Sequence, residues 1–422
     1  MALDYYQKAL KVNLKTMGEN SINTAKNYYA IADINSTIGK DKNAINNYEK
    51  CLVIFKSQLG SKHPFLASVF HDCAINYMNK GEFNRALKYY ENCLEIWLEQ
   101  LGPNHSNVAL VYNSIGVLYN KMGVHEESKK YLNKSLELKL KLLGHNHKEV
   151  SLSYRAIGFL YFDMSDYQKG LVYFNKSLSV DLKNNDSQGI SDSYFGIANF
   201  HLHNADYDGA IRAYKRVLEI ETKQKGETHP DVAEVLFNLA VAYRQIGDTD
   251  RALKIYNDVL EIWLTNLGAD NFKVGQLYNN IGQLYHSRTD YDKAIEFYKK
   301  ASSVLVKALG PDHIILAKMY NNIGGAYLQI DDGLSQSLEF FTKSLDIRVR
   351  TLDPQHLDFS YSFGNLSKLY NYKGDYNTAI GYARKALAIT LKNLGPDHPE
   401  LAEKYSLISY IELDDQRTKD AL

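Results

Sequence analysis

Proline is scarce in this sequence, seven in 422 residues, and no run of them marks a linker. Cysteine occurs three times, as Cys51, Cys73 and Cys93, without the spacing of a metal site. Cys51 and Cys93 fall at the same small-residue place of a repeat described below, so they read as reduced packing residues. Neither sign of charge is in excess: 49 Lys plus Arg face 49 Asp plus Glu. That balance argues against the basic footprint of a nucleic-acid or anionic-membrane binder. No uncharged apolar run approaches membrane-spanning length, and Asp4 and Lys8 interrupt the amino-terminal stretch, so neither membrane insertion nor a secretory signal is expected. Gly-rich phosphate loops, nucleophile elbows and Cys–His pairs are missing. The expectation is a non-enzymatic, cytoplasmic chain with no cofactor and no metal.

Tyrosine, by contrast, is abundant at 33 residues. It suits helix seams that are partly wet. The stretch Gly268 to Leu309 shows how it is used. Leu277, Tyr278, Ile281, Gly282 and Tyr285 fall on one face of a first helix, and Ala294, Phe297, Tyr298 and Ala301 on one face of a second. The polar link Ser287 to Asp290 is long enough only for a turn, so the two helices form an antiparallel hairpin. One such hairpin cannot bury both faces and needs copies of itself.

The copies are present. A glycine after leucine or methionine stands at Gly18, Gly60, Gly102 and Gly144, each 42 residues from the last. It recurs at Gly226, Gly268 and Gly310, and then at Gly395, with Asp186 and Asp353 in the two intervening places. A period of this size indicates a solenoid. A small residue marks each first helix (Gly116, Gly158, Gly282, Gly324), and another opens each second helix (Ala86, Gly170, Ala252, Ala294), followed four residues later by a large one such as Tyr90, Phe174, Tyr256 or Tyr298, with Ala383 the exception. Histidines recur in the connecting loops at His63, His105, His147, His229, His313 and His398. Their places lie about one repeat apart, roughly 10 Å, too far to share a metal, so a structural loop role is expected.

The small–large pattern, with Tyr or Phe before the second helix (Phe83, Tyr167, Tyr207, Tyr291, Tyr376), resembles the tetratricopeptide repeat. The 42-residue period and the loops Leu309-Gly-Pro-Asp-His313 and Leu394-Gly-Pro-Asp-His-Pro399 are similar to the kinesin light chain subtype. The resemblance implies an all-α, right-handed superhelical solenoid whose first helices line a concave groove. It also implies that Asn279, Asn280, Asn321, Asn322 and Asn365 hold extended peptides. Kinesin light chains carry a heptad coiled coil as well, and no sustained heptad segment occurs in this sequence.

One solenoid over 1–422 is therefore expected: a lone second helix at 1–17, nine repeats over 18–395, and a lone first helix with a stub at 396–422. Neither end reads as a polar cap, so the chain is expected to be a piece of a longer protein, with self-association through the uncapped ends as one consequence. Residues 184–191 form a joint two residues shorter than the others, where a soft boundary is expected.

What remains for function is the inner face of the first helices. Candidate partner-binding residues are Ile75, Met78, Asn113, Val117, Asn120, Phe159, Phe162 and Leu202, mostly apolar, followed by Arg244, Asn279, His286, Lys318, Asn321 and Lys368, polar and mildly basic. The reading is a scaffold or adaptor that grips a protein or extended peptide, with neither nucleic acid nor membrane as partner. The alternative is a regulatory or sensing array of a larger enzyme or nucleotide-switch protein whose catalytic domain lies outside this chain.

Overall fold

In a computed structural model that describes residues 2–421, twenty helices and no strand are found among the described residues. The chain opens with α1 (Ala2–Thr16). First helices of the hairpins are α2 (Ile22–Thr37), α4 (Pro64–Asn79), α6 (Ser106–Lys121), α8 (Lys148–Asp163), α10 (Ser187–His203), α12 (Pro230–Gln245), α14 (Phe272–Ser287), α16 (Ile314–Tyr327) and α18 (Asp358–Tyr372). Second helices are α3 (Asp41–Leu59), α5 (Phe83–Leu101), α7 (His125–Leu143), α9 (Tyr167–Asn184), α11 (Tyr207–Lys225), α13 (Thr249–Leu267), α15 (Tyr291–Leu309), α17 (Leu334–Thr351) and α19 (Tyr376–Leu394). The last element is α20 (Glu400–Ala421). Two compact units divide at Ile220/Glu221, within α11, and not at 184–191.

The two kinds of helix start differently. First helices are capped by the loop histidines: Nδ1 of His63, His105, His147, His229 and His313 each accepts the backbone N–H two residues on. Asn271 does the same for α14 with its amide oxygen. Second helices are capped by aspartates, with Oδ1 of Asp166, Asp206, Asp248, Asp290 and Asp375 accepting the N–H three residues on. Each cap satisfies a backbone donor that the helix itself leaves orphaned. The histidine series thus has a local backbone task at every station.

Inside each hairpin the small residue of the first helix receives the large residue of the second. A Cβ added at Gly158 would lie 2.4 Å from the Phe174 ring, at Gly282 2.6 Å from the Tyr298 ring, and at Gly324 2.6 Å from the Phe341 ring. Glycine is required there by close approach. A second device repeats beside it. Two aromatics seven residues apart on the first helix bracket one ring of the second: Tyr112 and Tyr119 around Tyr131 (5.9 and 5.7 Å), Tyr278 and Tyr285 around Phe297 (6.1 and 5.5 Å), Tyr320 and Tyr327 around Phe340 (5.9 and 5.8 Å). A lysine lies over the bracketed ring in each case, Lys134, Lys300 and Lys343. The three cysteines are fully buried and unpaired, and burial pushes the Cys93 thiol up to about 12.

The joint at 184–191 is tied down from beneath. α9 ends on Asn185 in the left-handed conformation (φ 50°), and Asp186 caps α10 at once. Under the turn, buried Arg155 Nη1 bonds Asp181 Oδ2 at 2.9 Å, and Ser193 Oγ donates to the same oxygen at 2.8 Å. Ser151 and Ser177 complete the cluster, their hydroxyls 2.7 Å apart. Gly196 presses on Phe174, where an added Cβ would sit 1.8 Å from the ring.

At the carboxyl end the expected helix plus stub is one helix, α20, of 22 residues. Gly374 turns the chain after α18 with φ 73°. Gln416 stands 42 residues further on, and nothing in Gln416-Arg417 breaks a helix.

Two sets of substitutions test this packing. Gly196→Ala should destabilise by about 1–3 kcal/mol through overpacking, whereas Gly325→Ala, in open space on α16, should stabilise by about 0.5–1 kcal/mol. Urea unfolding compares them. Arg155→Met alone should cost about 3–5 kcal/mol by stranding Asp181, and adding Asp181→Leu should restore most of it. Additive single losses in the double variant would refute the pairing.

Candidate functional site

All fourteen candidate residues lie on first helices, but the structure uses them differently. In the first unit, Ile75 and Met78 are half-buried and pack on the core of α2 to α6. Val117 packs on the core around Leu132. Asn120 Nδ2 donates to Asp163 Oδ2 at 2.5 Å, tying α6 to α8. Asn113 and Leu202 are half-buried.

The two phenylalanines separate. Phe159 is 44% exposed and rests one edge on Phe174, at 5.0 Å. Phe162 is a packing residue, with ring centroids 5.0 Å from Phe200 and 4.8 Å from His203. Shared membership of the inner face does not decide this; three residues of offset turn Phe162 toward α10. Leu152 and Leu110, at 41% and 43% exposure, are apolar residues that the pattern did not single out. They stand seven residues before Phe159 and Val117, two turns earlier on the same faces, and that spacing was the available signal.

In the second unit the polar candidates converge. Asn322 Nδ2 donates to Asn279 Oδ1 at 3.0 Å, and Asn365 Nδ2 donates to Asn321 Oδ1 at 2.8 Å. The asparagines thus form amide bridges between successive first helices. Arg244 Nη1 reaches Gln283 Oε1 at 2.7 Å. A cavity of 500 Å³ opens onto these groups, lined among others by Asn279, Gln283, Asn321, Asn365 and the lysines Lys318 and Lys368. Lys318 and Lys368 are exposed. His286 lies apart from this cavity with its ring 5.2 Å from Tyr291. Burial holds its pKa below the ordinary 6.5.

Such an arrangement offers amide donors and acceptors, cations and shape, and no nucleophile beside a base. Among the described residues, no cluster of three His, Cys, Asp or Glu is placed to hold a metal, and no helix is long and apolar enough to cross a membrane.

Helix hairpins repeated in tandem, most of their helices started by a side-chain cap, define a helical-repeat solenoid. Tetratricopeptide repeat family models match residues 65–138, 107–183, 189–265 and 273–348, and further such models match 25–54 and 361–400. The chain belongs to the tetratricopeptide repeat family. Among curated proteins, Protein clueless of Drosophila persimilis is 39% identical over 59 residues, 14% of this chain and 4% of that protein. The chain therefore matches only a small part of the length of such relatives. Among solved structures, a signal transduction ATPase with a tetratricopeptide repeat sensor from Pyrococcus horikoshii superposes with a TM-score of 0.60 at 12% identity, over 93% of this chain and 52% of that one. TPR-like repeats of a kinesin light chain from Podosopora anserina superpose with a TM-score of 0.43 at 20% identity, over 47% of this chain and 94% of that one. These likenesses concern the fold.

His286 supplies a pH test. Its folded pKa lies below the unfolded value near 6.5, so the unfolded chain takes the proton more readily. The stability it confers is present above that value and declines as pH falls through the folded pKa. His286→Gln should remove this part of the acid destabilisation, so the wild-type-minus-variant difference in unfolding free energy should fall as pH drops below about 6.5. A difference independent of pH would refute it.

Proposed function

We propose that this chain is a non-enzymatic, cytoplasmic interaction scaffold, an adaptor in the manner of kinesin light chains, that holds extended peptide segments of partner proteins on its first-helix faces. The observation that carries the reading is the second-unit cavity, where bridged asparagines and two exposed lysines surround 500 Å³ of open space. An extended strand brings a row of unpaired N–H and C=O groups, and the remaining amide donors and acceptors match them without reading sequence. Lys318 and Lys368 favour carboxylates along that strand. In the first unit, exposed Phe159, Leu152 and Leu110 offer apolar contacts. Exposed large apolar side chains grouped on one face favour interaction sites over plain surface.

The test uses a random peptide display library and the intact chain. Selection should enrich acidic, extended sequences. Lys318→Glu with Lys368→Glu should abolish that enrichment while shifting stability by no more than about 0.5 kcal/mol, as exposed substitutions do. Phe159→Ser should weaken capture of apolar sequences at little stability cost. Enrichment no better than that of heat-unfolded protein would defeat the proposal.

A further inference from the structure

At several contacts between a second helix and the next first helix, one position pairs with the residue ten further on. Phe55 stacks edge-on with Phe65, centroids 4.7 Å apart. Buried Lys139 reaches Glu149 Oε2 at 3.1 Å and also its carbonyl oxygen at 3.2 Å. Trp263 lies beneath Lys273, 5.8 Å from ring to ammonium. Each pair is chemically closed: apolar on apolar, cation on carboxylate, cation on ring.

Arg348 holds this position on α17, and its pair is open. The side chain is 3% exposed. Nη1 donates to Ser362 Oγ. Nε has no hydrogen-bond partner, and the nearest oxygen of Asp358, the residue ten further on, is 3.9 Å away, beyond hydrogen-bond reach. Burial lowers the guanidinium pKa, opposed by Asp358.

Lys404 on α20 is a second buried cation, 8% exposed. Among the described residues no carboxylate pairs with it; its contact is the Tyr361 ring, at 5.4 Å. The Tyr361 hydroxyl donates to Glu400 Oε1, and Glu400 Oε2 is buried without a hydrogen-bond partner. Both buried cations line the 500 Å³ cavity, together with Lys318 and Lys368, against the carboxylates Asp358 and Glu403. Arg348 Nε lacks a hydrogen-bond acceptor, with Asp358 no nearer than 3.9 Å, and Lys404 has a ring rather than a carboxylate for its partner; two buried cations so placed beside one open cavity favour a further anion there. A carboxylate brings one charge and two oxygens. A phosphate monoester brings close to two charges and three strong acceptor oxygens, enough for Nε of Arg348, the Lys404 ammonium and a rim lysine at once.

We propose that this recess is a receptor for the phosphate monoester of a phosphorylated serine or threonine in the peptide that the second-unit cavity holds. The inference rests on the peptide-scaffold reading and adds that phosphorylation strengthens partner capture there.

Three random peptide libraries, with a fixed central serine, glutamate or phosphoserine, are each presented to the intact wild-type chain and to Arg348→Met and Lys404→Met variants. In parallel, melting temperature is followed with inorganic phosphate against chloride at equal ionic strength. The phosphoserine library should be retained at least about tenfold better than the serine library, the difference one charged hydrogen bond makes. Either variant should abolish that preference, and Lys404→Met should also abolish phosphate protection while keeping its melting transition. Retention of the serine and glutamate libraries equal to that of the phosphoserine library overturns the inference and leaves the peptide scaffold standing. Retention of no library, with phosphate protection that both variants lose, overturns the peptide source and assigns the recess to the free ion. A phosphate effect unchanged in both variants overturns the site.

Discussion

The approach of a bare backbone on the first helix to a ring on the second is the contact on which this structure depends. Gly158 admits Phe174, Gly282 admits Tyr298, and Gly324 admits Phe341, each at a distance no Cβ would allow. Because the contact closes within one hairpin, the energetics are local and then propagate from neighbour to neighbour. A ring bracketed by two aromatics, with a lysine over it, repeats this logic at the hairpin's wetter edge.

That local closure explains where the polar side chains go. The loop histidines at first-helix starts, and Asp166, Asp206, Asp248, Asp290 and Asp375 at second-helix starts, are taken up by backbone donors. Asn120 and the bridged asparagines tie one first helix to the next. What is left for a partner is what the repeat itself does not satisfy: exposed Phe159, the free sides of the bridging amides, and the cations around the second-unit cavity.

The joints between hairpins carry the chain's individuality. One position, copied through the repeats, holds an aromatic, a cation or an anion by turns, and Phe55, Lys139 and Trp263 are each answered by a neighbour on the next helix. Asp181 at this place is answered by Arg155 from the helix before it and by Ser193 from the helix after it, in the shortest joint of the chain. The polar run at 184–191 suggests softness when read alone, yet it covers a buried ion pair and a glycine pressed on a ring.

The helices, their pairing into hairpins and the small–large code were legible in the sequence, because a 42-residue period written many times in one chain separates signal from accident. Three- and four-residue spacing also groups residues on one helix face without knowledge of the neighbours. What that spacing left open was the fate of each side chain on the face. Phe159 and Phe162 read alike, and only the position of Phe200 and His203 on the following helix half-buries Phe162 while Phe159 stays exposed. Arg348 and Lys404 read as ordinary repeat positions. That Asp358 stands 3.9 Å from Arg348 Nε, and that Lys404 meets the Tyr361 ring, are matters of distance between helices that the tertiary structure alone sets.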